Sequence, residues 1–248
     1  MLKVRIIPVL TFDGLSLVKT KQFSNPRTVG NPIQAARVYN IRNVDELVFI
    51  DIKATFQNRK INLSLVRKII NECFMPVTIG GGIQTFEDIN DLLRIGADKV
   101  VIKTKAIKDP KFISDAVSYF GSQCISISVD TIFEQDSYWI YNNEKTSLLL
   151  EDFLSIMKTC KVGEFLVNSI NKDGMQMGYD NNLYKKVMTF TQTPVVAIGG
   201  AGKPSDFNNL VKSGFQGGMA AASIFHFTQF TPMKIKESLI KENVPVRL

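Results

Sequence analysis

Short apolar runs alternate with longer amphipathic stretches along almost the whole chain. Apolar runs of roughly four to eight residues between turn-prone residues are typical of strands that are buried on both faces. On this pattern we predict strands at 4–10, 46–52, 76–81, 99–104, 124–130, 164–170, 194–200 and 217–223. Between them, apolar residues at helical spacing predict helices that include 62–74, 86–96, 110–121 and 206–214. Strands that alternate with helices in this way indicate a parallel sheet.

Eight strand–helix units follow one another within 248 residues, and a closed (β/α)8 barrel, or TIM barrel, contains the same number of units. We therefore predict an α/β protein with one barrel domain over residues 1–248. The structural alternative is an open, doubly wound sheet. That fold would need a more obvious nucleotide-binding turn after the first strand.

The two halves of the chain resemble each other, with equivalent positions about 119 residues apart. The aligned segments are 79–98 with 198–216, 46–55 with 164–174, and the opening stretch with 124–133. This offset is far longer than the repeats of solenoid proteins, so it predicts a barrel made of two equivalent half-barrels. By the same offset, Glu46 is equivalent to Glu164, and Thr11 is equivalent to Asp130.

The net charge of +7 arises from 30 Lys and Arg against 23 Asp and Glu. The lysines are scattered rather than gathered into basic runs, so the charge predicts a lysine-rich surface and no nucleic acid. A pocket for a phosphorylated small-molecule ligand is the alternative source of the positive charge. No apolar run approaches the roughly 18 residues of a membrane helix, and the sequence opens directly into the first strand without a signal peptide. These features predict a cytoplasmic protein that does not contact a membrane.

Two glycine-rich turns lie at equivalent positions of the two halves, at 80–82 and 199–202. Glycine lets backbone N–H groups approach an anion closely, and a helix that starts there adds a favourable dipole. The next strands end in Lys103-Thr104 and in Ala222-Ser223, so each half also supplies a hydroxyl group. The duplication predicts a ligand with a phosphate at each end. The alternative is that both segments are only tight turns between a strand and a helix.

Eight stretches resemble the cyclase subunit of imidazole glycerol phosphate synthase: RIIPVL, DELVFIDI, TIGGGI, GADKVVI, FGSQ, SINKDGMQMGYD, GGAGK and ASIFHF. They cover nearly the whole chain in the family's order. The resemblance implies a (β/α)8 barrel that receives ammonia from a separate glutaminase subunit. In that family the ammonia reacts with a bis-phosphorylated ribulosyl substrate, and no cofactor takes part.

The resemblance also assigns two sets of site residues. It implies phosphate binding by Gly82, Lys103, Thr104, Gly174, Gly200, Ala222 and Ser223. It implies that Lys19, Asp51, Asn168 and Asp173 belong to the substrate pocket. The family usually has an asparagine at the position of Lys103, and its mobile first loop after a strand corresponds to residues 20–32 here.

The two catalytic carboxylates of the family fall at the ends of the first and fifth strands. The second is present as Asp130, but the first position is occupied by Thr11. A carboxylate exchanges protons near neutral pH, whereas a threonine hydroxyl does not titrate there. We therefore expect altered chemistry, most simply in a paralogue. The alternative is that Asp13, in the following turn, replaces the missing carboxylate.

Four charged residues at strand starts match the ring that gates ammonia in the family: Arg5, Glu46, Lys99 and Glu164. Two pairs of opposite sign suit a mutually neutralised cluster. Taken without the resemblance, the same charges would indicate a solvated rim. Asp98 matches a residue that contacts the glutaminase.

Nothing in the sequence indicates that the chain makes ammonia itself. A glutaminase of the usual type needs a nucleophilic cysteine with a histidine base. The only histidine, His226, lies in the apolar stretch SIFHF and is expected to be structural. Cys73, Cys124 and Cys160 form no CxxC motif, so we expect neither a disulfide framework nor a metal site.

Three functions remain open. The altered carboxylate pair favours a barrel that passes ammonia to an ATP-dependent amidotransferase, which makes an acetamidino sugar for a surface polysaccharide. The alternative is a genuine cyclase subunit of histidine biosynthesis. The third possibility is a phosphate-ligand-binding barrel without catalysis. We expect a heterodimer with a glutaminase for the first two.

Overall fold

The computed structural model describes residues 3–247. Its strands are β1 (Ile6–Phe12), β2 (Leu17–Lys21), β3 (Ser24–Gly30), β4 (Leu47–Asp51), β5 (Val77–Gly80), β6 (Lys99–Ile102), β7 (Ile125–Glu134), β8 (Ser137–Tyr141), β9 (Lys145–Leu149), β10 (Glu164–Ser169), β11 (Val195–Ile198) and β12 (Gly218–Ala221). Its α-helices are α1 (Pro32–Ile41), α2 (Leu63–Ile70), α3 (Phe86–Arg94), α4 (Thr104–Lys108), α5 (Pro110–Phe120), α6 (Leu150–Cys160), α7 (Asn181–Phe190), α8 (Pro204–Lys212), α9 (Ser223–Phe227) and α10 (Pro232–Lys241). Met1, Leu2 and Leu248 lie outside the described residues, so the outer limits of the predicted domain stay predictions.

Eight of these strands form a closed parallel barrel. They pair in the order β1, β4, β5, β6, β7, β10, β11 and β12, and β12 pairs in turn with β1. The predicted TIM barrel is therefore confirmed, and closure of the sheet excludes the open doubly wound alternative. Each predicted strand overlaps one of these eight, and the four predicted helices correspond to α2, α3, α5 and α8.

The half-barrel repeat is visible in the strand register. Thr11 of β1 pairs with Ile50 of β4, and Asp130 of β7 pairs with Asn168 of β10. Thr11 and Asp130 thus occupy equivalent positions near the end of the first strand of each half-barrel. The offset found in the sequence therefore corresponds to equivalent positions in space.

The strands bury apolar residues on both faces, as their nearly continuous apolar sequences require. Alternate residues such as Ile7 and Val9 of β1 pack inside the barrel with residues of other strands. Their neighbours Ile6 and Leu10 pack outwards in the larger core between the sheet and the helices. Because successive side chains of a strand point to opposite faces of the sheet, only alternate residues at each strand end can reach the interior of the barrel.

Two hairpins extend beyond the carboxyl end of the barrel. Residues 20–32 do not form an irregular loop, because most of them belong to the antiparallel pair β2–β3. The hairpin turns at Gln22 and Phe23, which both have positive φ, as a two-residue turn of this kind requires. The second hairpin pairs β8 with β7 and β9. Phe23 and Tyr141 bring the two hairpins into edge contact, with ring centroids 5.9 Å apart, a separation that is usual for aromatic pairs.

Candidate active site and charged ring

A cavity of about 370 Å³ opens at the carboxyl ends of the barrel strands. The structure brings all of the predicted catalytic, substrate and phosphate positions into its lining: Thr11, Lys19, Asp51, Gly82, Lys103, Thr104, Asp130, Asn168, Asp173, Gly174, Gly200, Ala222 and Ser223. This is the end of a TIM barrel at which active sites are found. Tyr141 and Asn143 of the second hairpin also line the cavity, and sequence reasoning did not select them.

The glycines of the two turns are required by the backbone whether or not phosphate binds there. Gly82 has a φ of +70°, and a Cβ atom at this position would lie 2.7 Å from the carbonyl oxygen of Arg59. At Gly200 a Cβ atom would lie 2.1 Å from the carbonyl oxygen of Gly178. The short helices α4 and α9 begin at Thr104 and Ser223, directly beside these turns.

The ammonium group of Lys103 forms an ion pair with Asp130, although the resemblance implied that Lys103 binds phosphate. The Lys103 Nζ atom lies 2.9 Å from Asp130 Oδ2. The other carboxylate oxygen of Asp130 accepts a long hydrogen bond of 3.4 Å from Asn168 Nδ2. The buried carboxylate at the fifth barrel strand is therefore held in an ion pair.

Thr11 also has a partner outside the cavity. Its hydroxyl donates a hydrogen bond to the backbone carbonyl of Val18, which joins β1 to β2. Asp13 does not compensate for the missing carboxylate, since its Oδ1 atom accepts hydrogen bonds from the backbone N–H groups of Leu15 and Ser16. Asp13 thus stabilises the turn after β1, and it is not among the residues that line the cavity.

Two further ion pairs fix carboxylates in the cavity wall. Lys19 Nζ lies 2.7 Å from Asp173 Oδ1, and both side chains are buried. Burial raises the pKa of Asp173, although the charge of Lys19 opposes the increase. Asp51 accepts two hydrogen bonds from Arg59, at 2.6 and 2.8 Å. Sequence reasoning missed Arg59, which lies eight residues beyond the strand end and carries no motif.

At the opposite end of the barrel, Arg5, Glu46, Lys99 and Glu164 form a closed ring of alternating charge, which we call the charged ring. Arg5 donates to Glu46 and to Glu164, each at 2.6 Å. Lys99 lies 3.2 Å from Glu46 and 3.0 Å from Glu164. Both glutamates are less than 9% exposed, which contradicts the alternative of a solvated rim. Burial tends to lower the pKa of Arg5, but Glu164 and Glu46 outweigh it and the pKa is raised.

Hydroxyl groups lie next to the charged ring on its inner side. Thr78 is in register with Lys99, and Ser126 is in register with Glu164. Both residues are buried. The Ser126 hydroxyl has no hydrogen-bond partner within residues 3–247, so it is available to a small polar molecule inside the barrel.

Asp98 is exposed beside the charged ring, as a residue that contacts a partner must be. It also has a structural role, because its Oδ2 atom accepts a hydrogen bond of 2.8 Å from the backbone N–H of Val77. Its carboxylate therefore stabilises the start of β5 independently of any partner.

Residues 5–231 of the chain match the family described as histidine biosynthesis protein. The chain belongs to this family. It is 39% identical to the imidazole glycerol phosphate synthase subunit HisF of Natranaerobius thermophilus over the full length of both proteins. It is 40% identical, again over both full lengths, to a putative imidazole glycerol phosphate synthase subunit hisF2 of Campylobacter jejuni. It is also 40% identical to the HisF subunit of Limosilactobacillus fermentum, over all of this chain and 97% of that protein.

The family match includes both ends of the barrel, because it begins at Arg5 of the charged ring and continues past Ser223 of the cavity. The resemblance inferred from the sequence motifs is therefore confirmed. Within residues 3–247 of this family member, no helix has the length and apolar character that crossing a membrane would take. The same residues contain no group of three or more His, Cys, Asp or Glu side chains placed to hold a metal ion.

His226 packs behind the cavity, with its ring 6.2 Å from that of Tyr39. Burial lowers the pKa of His226 to about 4, and the nearby charge of Lys19 contributes to the decrease. The imidazole is thus neutral at physiological pH. This agrees with the structural role that the apolar sequence around it predicts.

Proposed function

We propose that this member of the histidine biosynthesis protein family is the barrel subunit of a glutamine-dependent amidotransferase. It accepts ammonia from a separate glutaminase at the charged ring, and it delivers the ammonia to the cavity at the other end. Phosphate groups of a ligand are held in the cavity by the turns at Gly82 and Gly200, together with Thr104 and Ser223. Support comes from the placement of these features and from the relatives named as imidazole glycerol phosphate synthase subunits.

The charged ring suits an inlet for a small neutral molecule. Each glutamate is bonded to both cations, so the cluster is internally neutralised and does not attract ions strongly from solvent. Beyond it, Thr78 and Ser126 offer hydroxyl groups, and the interior then becomes apolar. A dry apolar path favours neutral ammonia over ammonium, because transferring a charge out of water is costly.

A more specific proposal rests on the two positions at which the family has catalytic carboxylates. The first is occupied by Thr11, whose hydroxyl is hydrogen-bonded to the carbonyl of Val18. The second is occupied by Asp130, which forms an ion pair with Lys103. Only one of the two positions therefore carries a carboxylate, and the Thr11 hydroxyl cannot exchange a proton with a ligand near neutral pH as ordinary cyclisation requires. We infer that the ammonia serves a third protein, an ATP-dependent amidotransferase that converts an N-acetyl sugar into an acetamidino sugar for a surface polysaccharide.

The second candidate is a genuine cyclase subunit of imidazole glycerol phosphate synthase. The names of the relatives favour it, as does the placement of Lys19, Asp51 and Asp173 around the cavity. The third candidate, a phosphate-binding barrel without catalysis, has no need of a buried charged ring. The four short contacts of that ring therefore favour the two functions that handle ammonia.

The proposed function is tested by reconstituting ammonia transfer. The purified chain is combined with its glutaminase and with the candidate sugar amidotransferase, and acetamidino sugar is measured against glutamine hydrolysed. We expect product with glutamine only when the barrel is present. Lys99→Met should reduce product per glutamine several-fold while glutaminase binding persists, because the charged ring loses one of its two cations.

Lys145→Met is the matched control, since Lys145 pairs with Glu134 on the opposite side of the barrel, away from the ring. It should leave product per glutamine unchanged. A barrel that neither binds the glutaminase nor changes product formation would contradict the proposed function.

A further inference from the structure

The ion pair between Lys103 and Asp130 lies directly beside the turn to which we assign a phosphate group. We propose that Lys103 is a positioning residue with two alternative partners: it holds Asp130 as seen here, and it moves to a phosphate that binds beside Thr104. Binding of the phosphate thereby releases the Asp130 carboxylate into the cavity. This inference rests on the proposed function, because it requires a phosphorylated ligand at that turn.

The two members of the pair differ in their freedom to move. The Asp130 side chain is 9% exposed and lies at the end of a barrel strand, whereas the Lys103 side chain is 25% exposed. Lysine carries a compact charge and three donors on a flexible four-carbon stem. The ammonium also lies 6.0 Å from the ring centroid of Phe23, a weak contact that a phosphate would readily replace. Lys103 is therefore the member that changes its position.

A phosphate bound beside Thr104 would be within reach of Lys103, because the two residues are adjacent in the sequence. Lys103 immediately precedes Thr104, where α4 begins, and Gly82 lies in the same cavity wall. The hydroxyl of Thr104 is already bonded to Asn142 at 2.9 Å. Lys19 is paired with Asp173, so two flexible cationic side chains of this half of the barrel remain for a phosphate in the cavity. They are Lys103, which immediately precedes Thr104, and Lys53, whose ammonium lies 5.2 Å from the ring centroid of Phe56.

The charges determine the direction of the exchange. A phosphate monoester carries about −1.5 to −2 at neutral pH, against −1 for a carboxylate. The ammonium therefore gains by moving towards the phosphate, and the carboxylate that it leaves remains buried next to the ligand. By thermodynamic linkage, Asp130 must oppose phosphate binding as strongly as phosphate weakens the ion pair. This reciprocity can be measured.

The coupling between phosphate binding and the Lys103–Asp130 ion pair can be measured with a double-mutant cycle. Binding of inorganic phosphate is followed by calorimetry at constant ionic strength. In the wild-type background, Asp130→Asn should tighten phosphate binding about fivefold, because Lys103 is no longer held. The estimate is at the low end of such couplings because the pair is partly solvated. In the Lys103→Met background, the same Asp130→Asn change should tighten binding by a clearly smaller factor, because only the direct repulsion between the carboxylate and the phosphate is then removed. Lys103→Arg should restore most of the coupling, since it keeps the charge.

Glu134→Gln is the matched control, because it removes one negative charge from the same strand at a residue outside the cavity lining. It should leave phosphate affinity nearly unchanged. If Lys103→Met does not fold, Lys103→Gln removes the charge and can still hydrogen-bond to Asp130.

The outcomes separate this inference from the function on which it rests. Equal tightening by Asp130→Asn in both backgrounds would mean simple charge repulsion, and it would overturn the exchange while leaving the phosphate site intact. Wild-type protein that binds no phosphate would overturn both the exchange and the phosphorylated ligand.

Discussion

Two residues of the cavity lining, Thr11 and Lys103, give the cavity its unusual character. Thr11 supplies a hydroxyl that is bonded to the backbone of β2, and Lys103 supplies a charge that is bonded to Asp130 itself. Together they remove one carboxylate from the cavity and neutralise the other. The remaining carboxylates, Asp51 and Asp173, are also paired with cations. At the scale of the residue, the site is organised to bind a charged ligand more clearly than to move protons.

His226 provides a prediction about pH at the same scale. Its pKa is about 4 in the folded protein because of burial, against about 6.5 in an unfolded chain. Between these values the unfolded chain binds a proton that the folded protein excludes, so stability falls as the pH decreases from 6.5 to 4. The full loss amounts to about 3 kcal/mol. The free energy of unfolding, measured from pH 7 to 4.5, should decrease less steeply in His226→Gln than in the wild type.

The comparison depends on the slope with pH, because the substitution also removes the packing of His226 against Tyr39. Carboxylates contribute equally to both proteins, so they cancel in the difference. Identical slopes would show that the imidazole is not excluded from protonation by the fold.

The sequence predicted where single residues lie in the fold, but it did not predict which side chains they contact. Strand ends of a parallel barrel converge, so Asp130, Asn168 and Ser223 could be placed at one site from the strand pattern alone. The partner of Lys103 could not be predicted, because a long flexible side chain reaches several groups and sequence order does not select among them. Arg59 was missed for the same reason.

At the scale of the element, acidic side chains stabilise strand starts at the amino end of the barrel. Asp98 accepts a hydrogen bond from the backbone N–H of Val77, and Asp45 accepts one of 2.7 Å from the backbone N–H of Ile6. Asp45 is also paired with the buried Lys236 of α10, at 2.9 Å. The face on which we propose that the glutaminase binds is therefore built from residues that also hold strands and helices in place.

Asp98 allows binding to be separated from strand stabilisation. Asp98→Ala should lower the free energy of unfolding by about 1 kcal/mol, because it leaves the Val77 N–H without its acceptor. Asp98→Asn keeps an oxygen acceptor and should preserve stability. If the carboxylate contacts the glutaminase, both variants should weaken the complex in titrations that follow glutamine hydrolysis. Weakening by Asp98→Ala alone would indicate that only strand geometry matters.

The barrel strands were predictable because their apolar runs are nearly continuous and are separated by turn residues. The hairpin β2–β3 was not, because most of Ser24–Gly30 is exposed and polar, so no apolar pattern distinguishes it from a loop. Its pairing depends on the positive φ of Gln22 and Phe23, which neither residue type predicts.

At the scale of the whole molecule, the barrel separates two chemical environments. The charged ring closes one end, the cavity opens at the other, and an apolar interior that includes Ile7, Val9 and Leu166 lies between them. Both halves of the chain contribute to each feature: Arg5, Glu46 and Lys99 of the charged ring come from the first half and Glu164 from the second, and both halves line the cavity. The halves differ at Thr11 and Asp130, where one carboxylate of an expected pair is absent.

The most direct test of this account measures cyclase turnover with external ammonium, which bypasses the glutaminase. The purified chain is given the ribulosyl substrate of the histidine pathway, and formation of imidazole glycerol phosphate is compared with that of the HisF subunit of Natranaerobius thermophilus under the same conditions. General acid–base groups typically contribute about 10²–10⁴-fold to such reactions. We predict turnover at least about 100-fold below that of the comparator. Turnover comparable to that of the comparator would contradict the account, because it would show that a threonine at position 11 supports ordinary cyclisation.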